Sequence, residues 1–134
     1  MNNWQEDLED FHGACDIPIA NNITMLTPER AKLRRELIKE ESKELRKAIV
    51  ERDIVEIIDG MVDTIVVVIG TAVEMGIDLE PFWNEIHKTN MAKAGGPVRE
   101  DGKVLKPEGW EPPDLQAILT AELQKEIEEG RRDA

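Results

Sequence analysis

The stretch ELIKEESKELRKAIVERDIVEIIDGMVD, residues 36–63, decides the fold of this chain. Its first half is rich in Leu, Lys, Glu, Arg and Ala, residues that favour helices. Asp53 is a good helix N-cap, and Gly76 is a typical helix end. The stretch therefore predicts two neighbouring helices, one reaching Arg52 and the next running from Asp53 to Met75.

Working outward, capping residues and prolines predict further helices. Residues 3–14 form a short helix, and Thr27 with Pro28 starts the second helix. Asp78 caps a fourth helix that reaches about Ala94, and Asp114 starts a last helix that reaches Glu129. Residues 97–113, which hold four of the seven prolines, form an irregular arm.

The predicted fold class is all-α, with three or four helices packed as a bundle. The β-branched run at 65–69 would also suit a buried strand, but no other segment offers it a partner strand. Phe82 and Trp83 are predicted to lie in the bundle core. We expect a single domain over residues 1–134, with a core at about 3–94, a basic arm at 95–113 and a terminal helix at 114–130.

Composition narrows the function. The 134 residues include 17 Lys and Arg against 29 Asp and Glu, a net charge of −12, which argues against nucleic-acid polymers and anionic membranes as partners. The hydrophobic share of 40% is too high for a disordered acidic tail. A single cysteine, Cys15, and an N-terminus without a signal-peptide pattern predict a cytoplasmic protein.

Carboxylates lie where a helical pattern places apolar side chains. Glu40, Glu41 and Glu44 share a face with Leu33 and Leu37 of the second helix. Asp59 and Asp63 lie one turn apart on the third helix, which is apolar nearly all round, and Glu56 is in its first turn. Carboxylates gathered at an interior face repel each other, and a divalent cation removes that repulsion. Oxygen ligands favour Mg²⁺ or Mn²⁺ over Zn²⁺.

Charge is uneven along the chain. Residues 88–106 carry a local balance of +3, from Lys88, Lys93, Arg99, Lys103 and Lys106 against Glu100 and Asp101. An acidic region and a basic arm suit a metal-bound phosphate, although the arm alone would also suit a solvated loop.

These residues resemble a family. KEESKE (39–44) followed by EIIDGMVD (56–63) resembles the acidic signature of the all-α nucleoside triphosphate pyrophosphohydrolases, the MazG-like enzymes, which include dimeric dUTPases and phosphoribosyl-ATP pyrophosphohydrolases. DFH (10–12), HKTNMAK (87–93) and REDGKVLKPEGW (99–110) are similar to the MazG-like branch. The resemblance covers about Asp10 to Asp114 and implies a four-helix-bundle-like fold.

The resemblance also implies Mg²⁺- or Mn²⁺-dependent hydrolysis of a nucleoside triphosphate to its monophosphate and pyrophosphate, with more than one ion per site. Glu41, Glu44 and Asp63 match metal ligands, and Glu40 matches the carboxylate that serves a second metal or the attacking water. Some relatives carry a ligand where this chain has Gly60, so Asp59 takes that role. The resemblance further assigns phosphate contacts to Lys93, Arg99 and Lys106, with Asn90 close by. It places Trp4 and Phe11 on a helix beside the site, where they would either stack on the base of the substrate or pack in the core.

Relatives also imply a homodimer or homotetramer. Because the chain has only two histidines and the predicted site suits a hard metal, we assign no catalytic role to His12 or His87. The acidic, compact chain is similar to phage-borne MazG-like enzymes, some of which act on dGTP; this makes dGTP or GTP the expected substrate and dUTP the next. An alternative is a non-enzymatic helical interaction module whose acids pair with a partner. A metal phosphohydrolase of the His-Asp type is disfavoured because the chain has only two histidines and no adjacent His-Asp pair.

Overall fold

The computed structural model describes all 134 residues and confirms the all-α fold. It has five helices: α1 (Asn3–Ala14), α2 (Pro28–Glu51), α3 (Ile54–Met75), α4 (Glu80–Met91) and α5 (Leu115–Glu128). The β-branched run at 65–69 is helical and lies within α3. The only extended pairing is one isolated bridge between Val98 and Val104 in the irregular arm.

Side-chain caps fix most helix starts where the sequence predicted them. The Thr27 hydroxyl accepts a hydrogen bond from the Arg30 amide, and the Asp53 carboxylate accepts from the amides of Val55 and Glu56. Asp114 caps α5 in the same way. Gly76 ends α3 in the left-handed conformation, with φ of 66°.

The predicted bounds of α4 are wrong at both ends. Its N-cap is Leu79, which makes no side-chain cap, and the helix ends at Met91 rather than at about Ala94. The Asp78 carboxylate lies 3.1 Å from the N-terminal ammonium group, with which it forms an ion pair.

The chain forms two compact units, Met1–Asp78 and Leu79–Ala134. In the first unit, α3 packs against both α1 and α2, which agrees with its apolar composition. The buried apolar core of this unit is small, and most of it comes from α3: Leu8, Ala48, Val67, Ile69, Ala72 and Val73.

A glycine sets how closely α2 and α3 approach. A Cβ atom added to Gly60 would lie 2.9 Å from the Cα atom of Leu45, closer than side chains tolerate. Gly60 therefore lets the two helix backbones touch at this level. The acidic positions 41 and 44 on α2, and 59 and 63 on α3, all lie within four residues of this contact along the chain.

A buried ionic network ties the far end of α3 to α2. Glu74 is 5% exposed and receives hydrogen bonds from Arg30, at 2.7 and 2.9 Å, and from the buried Arg34. Burial would raise the pKa of Glu74, but hydrogen bonds and positive charge from the two arginines outweigh burial and lower that pKa below its ordinary value. His12 of α1 lies against Arg34 and completes the network.

The second unit contains α4 packed on α5. The indole N–H of Trp110 donates a 2.7 Å hydrogen bond to the carbonyl of Thr89, which attaches the arm to α4. Phe82 is half-buried, but Trp83 is 72% exposed, so the prediction that Trp83 lies in a core is wrong. None of the five helices has the length and apolar character needed to cross a membrane.

The network yields a stability prediction. Glu74→Gln leaves the buried Arg34 without its counter-charge and should lower the free energy of unfolding by about 3 kcal/mol at neutral pH. Because the pKa of Glu74 is lowered by folding, its stabilisation is complete above the ordinary glutamate pKa and is lost as pH falls through the lowered value. Urea unfolding should therefore show a gap between wild type and variant that closes in strong acid.

The matched control is Glu51→Gln, which removes an exposed pair with Lys47 at 3.8 Å and should change stability by less than about 0.5 kcal/mol. A Glu74→Gln effect no larger than that of the control would contradict the network.

Candidate active site

The predicted acids of α2 and α3 lie at the edge of the helix pair. Glu41 and Asp63 are half-buried, whereas Glu40, Glu44 and Asp59 are exposed. Their expected burial within the apolar interior is therefore wrong for the last three residues. Glu56, the acid in the first turn of α3, is also exposed.

Glu41 is the centre of this acidic group. Burial raises the pKa of its carboxyl, and so do the negative charges of Glu44, Asp63, Glu40 and Asp59, in that order. Each charge that shifts this pKa is negative and thus raises it. The structure therefore brings the other four predicted ligands close enough to act on Glu41.

One oxygen in the group is left without a partner. Oε2 of Glu41 is buried and makes no hydrogen bond. A buried, unpaired carboxylate oxygen is unfavourable, because it has lost its contact with water and gained nothing in return. Glu74 shows the contrast, since its two oxygens are both taken by arginines.

The residues fit a hard divalent cation in their chemistry. All five donors are carboxylates, the ligands that Mg²⁺ and Mn²⁺ prefer. Oε2 of Glu41 has no hydrogen-bond partner, and the charges that shift the pKa of Glu41 are all negative. The structure has no group of three or more His, Cys, Asp or Glu side chains already arranged to hold a metal ion. Like charges repel, so the exposed acids have no reason to converge by themselves.

Gly60 explains the one departure from the family pattern. A side chain at this position would meet the backbone of α2 at Leu45, so this helix pair has no room for a carboxylate there. Asp59, the preceding residue, is exposed and close enough to Glu41 to raise its pKa. The assignment of Asp59 as a ligand stays a prediction, now with a steric reason behind it.

The second unit gathers several of the predicted phosphate-binding residues. The ammonium groups of Lys93 and Lys106 lie 5.0 and 5.1 Å from the centre of the Trp110 ring, in cation–π contact. Lys93 also donates to the side-chain oxygen of Asn90 at 3.1 Å. Arg99 does not join this cluster through any such contact; it forms a two-pronged ion pair with Asp101, at 2.8 and 2.5 Å.

The two predicted base-stacking residues differ. Trp4 is 60% exposed and lines a cavity of about 330 Å³ between α1 and α3, together with Asp7, Leu8, Val62, Ile65, Val66 and Ile69. Phe11 is 49% exposed, does not line that cavity, and packs edge-on against the ring of His12.

The two histidines differ in burial. Nδ1 of the buried His12 lies 3.0 Å from the carbonyl of Pro18, and His87 is exposed on α4.

Two features of the structure were not predicted from the sequence. Glu74 lies in an apolar helix just as Asp59 and Asp63 do, and the arginines that neutralise it could be identified only by their position one helix away. Asp7 lines the cavity beside Trp4; its spacing of three residues from Trp4, which puts both on one helix face, was the available signal.

Glu41 yields a second prediction. Because its pKa is raised in the folded state, its ionised form destabilises the metal-free protein at neutral pH, and this cost vanishes below the ordinary glutamate pKa, where both states are protonated. Glu41→Gln should therefore raise stability in EDTA at pH 7 by up to about 1 kcal/mol, since solvent screens the partly exposed charges. Thermal melts at pH 7 and pH 3.5 test this; a loss of stability at pH 7 would contradict it.

The comparisons agree with this arrangement. The model of the family described as phosphoribosyl-ATP pyrophosphohydrolase matches residues 8–90, more than half of the chain. The matched range contains α2 and α3 complete, and with them the whole acidic group. No curated protein matches the chain at a significant level. The match over α1 to α4 shows that the chain belongs to the phosphoribosyl-ATP pyrophosphohydrolase family, whose members are all-α pyrophosphohydrolases acting on nucleotide-like substrates.

Proposed function

We propose that this protein is a metal-dependent nucleoside triphosphate pyrophosphohydrolase that converts its substrate to a monophosphate and pyrophosphate. The observation that carries the proposal is Glu41, a carboxylate with a buried, unpaired oxygen and four acidic neighbours that raise its pKa. A protein without a use for a cation gains nothing from such an arrangement, which opposes its own folding.

The metal would be held by the five acids that interact through Glu41. Glu41, Glu44, Asp59 and Asp63 are the proposed ligands, and Glu40 completes the set. When bound, Mg²⁺ or Mn²⁺ neutralises the triphosphate and lowers the pKa of a coordinated water. More than one ion per site is expected, since five carboxylates exceed the charge of one divalent cation.

Glu40 is the proposed general base. Glu40 is exposed, so the attacking water can reach its carboxylate. It also lies near enough to Glu41 to affect the pKa of Glu41. Its carboxylate would accept the proton of the attacking water while the water oxygen bonds to phosphorus and the α–β phosphoanhydride bond breaks. The electron pair of that bond leaves with pyrophosphate.

The basic cluster of the second unit would bind phosphate oxygens. The Trp110 ring holds the ammonium groups of Lys93 and Lys106, and Asn90 accepts a hydrogen bond from Lys93. Because these contacts already restrict both side chains, binding phosphate would cost little additional side-chain entropy. Arg99 could join only by giving up its ion pair with Asp101, which is exposed and therefore weak.

The proposed substrate is dGTP or GTP, with dUTP as the next candidate. Trp4 would stack on the base, because its indole is exposed and borders an apolar cavity. Phe11 is retained as a second contact, although it lies outside that cavity.

A homodimer or homotetramer is also proposed, and α3 carries the reason. Ile54, Ile58, Met61, Ile65 and Val68 follow helical spacing along one face, and each is at least 39% exposed. This apolar stripe is larger than isolated exposed residues would explain. A second copy of the chain, with the same stripe, would cover it through a two-fold contact.

The proposed activity is tested by a panel of ribo- and deoxynucleoside triphosphates with Mg²⁺ or Mn²⁺, with products identified as mono- or diphosphates. Glu40→Gln should lower kcat at least about a hundredfold while still binding Mn²⁺ with a non-hydrolysable triphosphate, as shown by a raised Tm. Glu36→Gln, an exposed change one turn earlier on α2, is the control. Unchanged turnover in Glu40→Gln would reject the base, and no Tm shift in wild type would favour a non-enzymatic module.

The stripe is tested by sedimentation. Val68→Lys places a charge on the stripe, five residues beyond Asp63, and should shift the protein toward monomer because a lysine is poorly tolerated in an apolar contact. The control is Met25→Lys, since Met25 is more exposed than Val68 and lies outside any helix. This change should leave the mass of the assembly unchanged. A monomeric wild type would refute the self-association.

A further inference from the structure

The cavity between α1 and α3 has a shape and a chemistry that the proposed hydrolysis alone does not explain. Its volume is about 330 Å³, near the lower end for small-ligand pockets. The exposed indole of Trp4 lies on its α1 side, and its floor comes from four residues of α3: Val62, Ile65, Val66 and Ile69. Apolar side chains opposite an indole suit a flat ring.

Asp7 is the one charged residue that lines the cavity. It lies one turn after Trp4 on α1, so both side chains project from the same face, and it is exposed to solvent. An ionised aspartate only accepts hydrogen bonds. A ligand in this cavity would therefore be selected for a pair of donors on the edge that faces Asp7.

The cavity also lies next to the acidic group. Asp63 immediately follows Val62 and precedes Val66 by three residues, so the acids and the cavity floor occupy adjacent faces of α3 at the same level. A nucleotide with phosphates at the acids has its base within reach of this floor.

We propose that Asp7 reads the base of the substrate and selects guanine. Guanine presents two adjacent donors, the ring N1–H and the exocyclic amine, which match the two oxygens of a carboxylate. Uracil and thymine present one N–H between two carbonyl oxygens, which a carboxylate repels. Adenine and cytosine present an amine beside a ring nitrogen that only accepts. This inference rests on the proposed function for its substrate class and adds the residue that sets base preference.

The decisive experiment uses nucleosides, which have no phosphates and so need neither the metal nor the lysines. Quenching of tryptophan fluorescence in EDTA should show that guanosine binds more tightly than adenosine, cytidine or deoxyuridine. Asp7→Asn, nearly the same in shape, should weaken guanosine binding at least about tenfold, and Trp4→Ala should abolish the quenching. Glu6→Gln, the neighbouring exposed acid of the same helix that does not line the cavity, should behave as wild type.

A hydrolysis assay separates this inference from the proposed function. Asp7→Asn should lower kcat/KM for guanine nucleotides at least about tenfold and leave the pyrimidine nucleotides unchanged or improved. Guanosine binding without hydrolysis by the wild type would overturn the proposed function and keep the inference. Equal quenching by all nucleosides, guanosine binding untouched by Asp7→Asn, or a cavity closed to every nucleoside by a second copy of the chain would overturn the inference.

Discussion

The contact between Gly60 and the backbone of Leu45 sets the distance between α2 and α3. At this crossing the absence of a side chain allows the two backbones to touch, and carboxylates on both sides are carried into one another's electric fields. The effect is seen at Glu41, whose pKa is raised by acids on its own helix and on α3. A larger residue at position 60 would push the helices apart and weaken every one of these interactions, because they fall with distance.

The same pair of helices treats its acids in two opposite ways. At the end of α3, Glu74 is buried and held by Arg30 and Arg34, so its negative charge is cancelled within the protein. Nearer the middle, Glu41 has only acids for charged neighbours and keeps one oxygen unpaired. Stability alone would favour the first solution in both places. Under the proposed function, a cation from outside the protein would supply the missing charge at the uncompensated cluster.

Sequence patterns predicted what depends on local chemistry. Caps at Thr27 and Asp53 satisfy amides a few residues away, so the helix bounds follow from neighbours on the chain. Burial was predicted less well: Trp83 is exposed although large and apolar, and Glu44 lies at the surface although it follows an apolar pattern. Periodicity tells which face a residue occupies, but burial depends on which other element covers that face, and this requires contacts distant in sequence.

Three faces of α3 together account for its apolar composition. One face meets α2 and carries the acids, a second forms the floor of the α1 cavity through Val62 and Val66, and a third is the exposed stripe that includes Ile58. A helix that packed on only one side would need a single apolar stripe. An apolar composition over most of the helix is needed here because packing, ligand binding and self-association would use different sides, with Ile65 on the border between the cavity and the stripe. Four acids interrupt this composition: Glu56, Asp59, Asp63 and Glu74. Arg30 and Arg34 neutralise Glu74, and under the proposed function a bound cation would do the same for Asp59 and Asp63.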